Sequence, residues 1–137
     1  MKTASLAIFS LAATALAAQS AELACPAGLV VRQTAEAPGG WVGFDAAAER
    51  EHPLQTAEIS EGAPQRRILL MPTREIKKGK NKALVYELGN IRQPWLICLY
   101  TDTSLTLSRS LPANIQRCTF ILDHATNYAS VQQIDCE

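Results

Sequence analysis

From residue 28 onward apolar and polar positions alternate in short blocks, and proline or glycine cuts most blocks before they reach helical length. In "WLICLY", residues 95–100, Trp95, Ile97 and Leu99 fall on one side of an extended chain and Leu96, Cys98 and Tyr100 on the other. Both sides are apolar, so this segment reads as a central strand covered on both faces. "SLTLSRS", residues 104–110, sets Leu105 and Leu107 against Ser104, Thr106 and Ser108, which is the pattern of a strand with one wet face. Only Thr101, Asp102 and Thr103 join the two, and so short a link demands an antiparallel hairpin.

The same reading predicts strands near residues 28–33, 55–60, 67–71, 83–88, 94–101, 104–109, 117–123 and 129–136. "FDAAAERE", residues 44–51, has helical composition, and Pro53 holds it to about two turns. The expected fold is therefore mainly β: a small antiparallel sheet or sandwich with at most one short helix. Its last four strands are expected to form a four-stranded meander, the final one polar enough at Gln132, Gln133 and Asp135 to be an edge.

The N-terminus changes the picture of where this fold works. "MKTASLAIFSLAATALAAQSAE" carries one charge at Lys2, then an uncharged run, then small residues around Gln19. That is the pattern of a secretory signal peptide over residues 1–20, with cleavage expected between residues 17 and 20. The run is shorter than the roughly 20 apolar residues a membrane span needs, and Glu22 before Cys25 argues against a lipid anchor, so no stable membrane anchor is expected. Residues 21–137 then form one domain, periplasmic or secreted, with 12 positive against 13 negative side chains once Lys2 is lost. Such a balance calls for no nucleic acid.

Export also decides how to read the cysteines. Cys25, Cys98, Cys118 and Cys136 make an even set in a small exported chain, which points to two disulfides. A metal site is not expected, because no CxxC pair or Cys-x-x-His exists and neither histidine lies at ligand spacing from a cysteine. A hairpin centred near Asn127 favours Cys118 with Cys136 and leaves Cys25 for Cys98. The competing arrangement joins Cys98 to Cys118 and the two chain ends through Cys25 and Cys136.

A catalytic set is harder to find. GxSxG, HExxH and SxxK are absent, His52 precedes Pro53, and His124 sits beside Asp123 at a turn. Glu49, Glu51, Glu58 and Glu61 lie in no apolar run that would raise a carboxyl pKa, so they read as solvated. Neither catalytic residues nor cofactors are assigned, and a small secreted hydrolase is the enzyme-class competitor.

Two segments suit recognition instead. "REIKKGKNK", residues 74–82, presents Lys77, Lys78, Lys80 and Lys82 around Gly79 as a positive hairpin tip for an acidic partner surface. "EAPGGWVGF", residues 36–44, is an irregular loop carrying Trp41 and Phe44, either as interface anchors or folded back over an open sandwich end. The terminal strand's edge is a further place for a partner strand.

Taken in order, Cys25-Pro26, Gly40-Trp41, His52-x-Leu54, Gly62-x-Pro64, Leu70-x-Pro72, Trp95-x-x-Cys98-x-Tyr100, Leu111-Pro112, Cys118 and Cys136 form a pattern across nearly the whole mature chain. It resembles a family of small exported four-cysteine proteobacterial proteins of unknown function, some encoded near type VI secretion genes. The resemblance implies export, one domain and paired cysteines, and brings no catalytic residue. By analogy it implies a periplasmic binding protein in the envelope, an immunity-type inhibitor of a secreted toxin or wall hydrolase. An envelope structural or interaction protein without inhibitory role is the other non-enzymatic reading.

Overall fold

The computed structural model describes residues 23–34, 36–46 and 48–137; the expected signal peptide lies outside them. Among the described residues eight strands follow in chain order: β1 (Gly28–Val30), β2 (Glu51–Glu61), β3 (Arg74–Lys78), β4 (Asn81–Glu87), β5 (Pro94–Tyr100), β6 (Thr106–Ser110), β7 (Arg117–Leu122) and β8 (Val131–Cys136). They form two antiparallel four-stranded sheets, ordered β1-β2-β5-β6 and β3-β4-β7-β8. Among the described residues the helical elements are short 3-10 turns, such as Pro64–Arg66 and His124–Thr126.

One core lies between the sheets. Ala57 and Ile59 of β2 and Leu96, Cys98 and Tyr100 of β5 meet Tyr86 of β4, Cys118 and Phe120 of β7 and Val131 of β8. Phe120 and Ile59 are wholly buried, and the Tyr86 and Phe120 rings lie 4.9 Å apart. Strand β5 is central, as its two apolar faces demand. In β2 the register slips between Leu54, opposite Tyr100, and Thr56, opposite Leu99. The extra residue, Gln55, lets Leu54, Ala57 and Ile59 all face the core, because a bulge reverses the phase of the alternation.

The cysteines pair Cys25–Cys98 and Cys118–Cys136. Cys118 stands directly opposite Cys136 in the β7–β8 ladder, and Asn127 takes the left-handed conformation at the turn between them. Cys98 is thus the apolar-strand end of a staple that pins the N-terminal arm, which the Tyr100 hydroxyl also holds by donating to the Pro26 carbonyl at 3.1 Å.

Four expectations need correction. Residues 44–51 make no helix among those described: Glu51 opens β2 and pairs with Val30, and the neighbouring His52 is buried. A two-turn helix is marginal alone, and pairing to a sheet satisfies the same backbone groups with burial added. Residues 67–71 touch β2 through a bridge from Leu69 to Ser60, flanked by left-handed Arg67 and by Pro72, which stop a ladder from growing. The strand that was missed is β3, whose charged composition disguises it; the tight turn at Gly79 (φ 64°) pairs it with β4. The C-terminal strands do form two hairpins, β5–β6 and β7–β8, but in different sheets, not one meander. Between them Leu111 and Ile115 are buried around Pro112, and this link carries the chain across the core.

The chain crosses between sheets three times: residues 62–73, 88–93 and 111–116. In the first sheet Glu61 pairs with Pro94, and Trp95 with Ser110; in the second, Arg74 pairs with Val85, and Glu87 with Arg117. All three crossings therefore leave from and arrive at one end of each sheet. The other end carries the connections within sheets: residues 31–50, 79–80, 101–105 and 123–130.

Burial has a consequence for alkaline stability. Desolvation raises the phenol pKa of Tyr86, with a further push from the Glu58 carboxylate, and desolvation raises that of Tyr100. Since both are raised above the unfolded value of about 10, their contribution is complete below pH 10 and is lost as pH climbs through the folded values. Denaturant midpoints measured at stepped alkaline pH should fall in that window, and less so in Tyr86→Phe.

Candidate binding surface

The within-sheet end holds both segments suited to recognition. The 31–50 connection leaves β1 and returns to β2, and its tip turns where the Trp41 amide donates to the Pro38 carbonyl at 3.0 Å. Gly40 sits at φ 86°, which side-chain-bearing residues rarely adopt, so the tight reversal before Trp41 rests on glycine. The Gln33 amide donates to Asp45 at 2.7 Å and closes the loop's base. Arg50 pairs with Asp102 at 2.8 Å, tying the end of the loop to the β5–β6 turn.

The loop does not fold back as a plug. Trp41 is 77% exposed, Val42 91% and Phe44 89%. Three large apolar side chains within four residues stand in solvent on a loop whose base is hydrogen-bonded. An exposed apolar group of that kind makes the loop a candidate interaction surface.

The lysines divide. Lys82 is engaged: its ammonium lies 3.1 Å from Glu75 and 4.8 Å from the centre of the Tyr128 ring. Among the described residues Lys77, Lys78 and Lys80 have no ion-pair partner, and all three are exposed. The turn is braced by the β7–β8 connection, where Asn81 accepts from the His124 amide at 3.1 Å and the Tyr128 hydroxyl donates to the Lys80 carbonyl at 3.2 Å. Tyr128 itself sits at φ 66°, a conformation a bulky residue holds only when its surroundings fix it. The lysine turn is thus a braced hairpin end, stiffer than the mobile tip its composition suggests.

The catalytic readings gain no geometry. His52 is buried, with Nδ1 2.8 Å from the Thr101 carbonyl, where it closes the start of β2 onto the end of β5. His124 lies exposed in the β7–β8 connection of the other sheet, edge-on to Tyr128. Glu87 bridges Arg74 and Arg117, and Arg117 reaches Glu137, so these charges form a structural network across the second sheet. Among the described residues no cluster of three or more His, Cys, Asp or Glu could hold a metal, and no helix is long and apolar enough to cross a membrane.

Comparison with known proteins adds a family. Residues 48–137 match the model described as type VI secretion system Tli immunity protein. An uncharacterized 16.3 kDa protein in the trpG 5′ region of Azospirillum brasilense is 31% identical over 126 residues, covering 86% of this chain and 83% of that protein. No solved structure matches. The match begins after the Trp41 loop, so the family pattern covers β2 to β8 and leaves the exposed aromatics outside it.

Proposed function

Because this chain belongs to the type VI secretion system Tli immunity protein family, we propose that it is exported to the periplasm and neutralises a toxin there by binding and occluding it. Trp41 and Phe44 are the anchors; Lys77, Lys78 and Lys80 are rim charges that draw in an acidic partner surface, with Lys82 supporting the turn. One observation carries the reading: three large apolar side chains exposed together on a loop closed at its base. Two disulfides and a shared core keep that loop's frame rigid, which lowers the entropy lost on binding.

The test is capture from periplasmic extract by the mature protein, followed by titration with a catalytically inactive form of any captured toxin encoded beside its gene. A stoichiometric complex with the inactive form is expected, together with inhibition of the active toxin at the same ratio. Retention of no protein, with no toxin or wall hydrolase among the neighbouring genes, would overturn the reading. Within the complex, Lys77→Glu with Lys78→Glu should slow association about tenfold at low salt and flatten its salt dependence, leaving dissociation nearly unchanged. Stopped-flow association at several ionic strengths measures both.

A further inference from the structure

The β3–β4 hairpin sets two like charges face to face. Lys77 stands directly opposite Lys82, one pair inward from Lys78 and Asn81 at the turn. Residues so placed hold their Cβ atoms about 5 Å apart, and like charges there repel. Glu75 lies two residues along β3 on the same side of the sheet. Its carboxylate is 3.1 Å from the Lys82 ammonium, while Lys77 has no ion-pair partner among the described residues. One lysine of the opposed pair is neutralised and the other is not.

These side chains border a cavity of about 310 Å³, lined by Glu75, Ile76, Lys77, Lys82 and Tyr128. Tyr128 is a fixed wall. It follows left-handed Asn127 at φ 66°, donates its hydroxyl to the Lys80 carbonyl at 3.2 Å, and sets its ring centre 4.8 Å from the Lys82 ammonium. A bulky residue in that conformation is over-determined by its surroundings, and such residues gather at ligand clamps. Lys78 and Lys80 do not line the cavity; alternation turns Lys78 to the other side of β3.

We propose that the cavity is a carboxylate receptor: one aspartate or glutamate side chain of the partner protein sits between the Lys77 and Lys82 ammonium groups, beside the Tyr128 ring. Charge sets the ligand. Two lysines against Glu75 leave a surplus of one positive charge, which a single carboxylate balances. An anion between the lysines also turns their mutual repulsion into attraction to one centre. The Lys82 ammonium has three donors and serves Glu75 and the newcomer together. A phosphate, carrying nearly two charges, would exceed the balance and press against Glu75. The site is half-exposed, so the contact is weak: it registers the partner's orientation during approach and leaves the lifetime of the complex to the Trp41 loop. The choice of a protein as the carrier rests on the immunity reading; the preference for carboxylate does not.

The probe is the tripeptide alanine-glutamate-alanine, acetylated and amidated, titrated at constant ionic strength into isotopically labelled mature protein and followed by amide and lysine side-chain chemical shifts. The glutamine counterpart and inorganic phosphate run in parallel. Saturable shifts centred on Glu75, Lys77, Lys82 and Tyr128 are expected with the glutamate peptide and not with the glutamine one. Lys77→Gln should weaken binding about threefold, with a melting temperature no lower than wild type because the repulsion is gone; Glu75→Gln should tighten it about threefold by removing the competing carboxylate. Lys78→Gln, on the other side of the strand, should do neither. Equal shifts from the glutamine peptide, tighter binding of phosphate than of the glutamate peptide, or equal losses from Lys77→Gln and Lys78→Gln would each overturn the proposal. Failure of toxin capture leaves a positive titration standing, and toxin capture by a protein that fails the titration leaves the immunity reading intact.

Discussion

Trp41→Ala should weaken binding of the captured toxin about 100-fold, nearly all of it through faster dissociation. Truncating a central aromatic anchor typically costs on the order of 2–4 kcal/mol, and 1.4 kcal/mol is tenfold in affinity. Trp41 is exposed in the free protein, so its truncation removes almost no intramolecular packing and the thermal transition should not move. Phe44→Ala should behave alike with a smaller loss. Val42→Ala, on the same loop with less area to bury, should cost least. Surface plasmon resonance on the three variants, with calorimetry for stability, gives the ranking. Equal dissociation rates in wild type and Trp41→Ala would remove the loop from the interface.

The second large effect is on stability. Cys25→Ser with Cys98→Ser should destabilise the fold by about 4 kcal/mol, and Cys118→Ser with Cys136→Ser by about 3, since the entropy removed from the unfolded chain grows with the length of the closed ring. The rings span sequence separations of 73 and 18 residues. For a domain of this size about 4 kcal/mol lowers the melting temperature by roughly 15–25 °C. The order matters more than either value: loss of the long ring should hurt more, because it also frees the N-terminal arm that Tyr100 holds. Differential scanning calorimetry on both double variants decides it, and a reversed order would mean that the arm contributes little to the folded state.

How much of this was legible in the residues follows from where the physics is local. Alternation marked β5 as central, because the period of two is written in single side chains, whereas β6, expected to have one wet face, is exposed at all five residues. The hairpin near Asn127 favoured the cysteine pairing that the structure has, though the residues alone left the Cys98–Cys118 arrangement open. β3 was hidden because an edge strand buries little, so its residues are chosen for charge and carry no apolar signature; only the glycine turn beyond it pointed to a second arm. The division of the last four strands between sheets depends on whether Leu111 and Ile115 find a core to enter, and that is decided by distant residues. For the binding surface, the aromatic loop and the lysines were readable as residue types, while their exposure was not. Nothing in "PGGWVGF" says whether Trp41 turns outward or inward. Lys82's engagement with Glu75 and Tyr128 was equally out of reach, as it needs two other strands' connections in place. The state of β6 was half visible: Leu105 and Leu107 announced an apolar side, but their exposure depends on what packs against that side, which the strand's own residues do not record.

Three passages between sheets at one end make the domain resemble a folded sheet of card, creased on one side and open on the other. Insertions, deletions and residue changes in the 31–50 connection or the lysine turn need not disturb the crease, where Leu88, Leu111 and Ile115 are buried. In evolutionary terms, under the function proposed above, specificity can drift at the open margin while selection for foldability acts on the spine. Under that reading the separation lets the 31–50 loop change without renegotiating the scaffold that presents it.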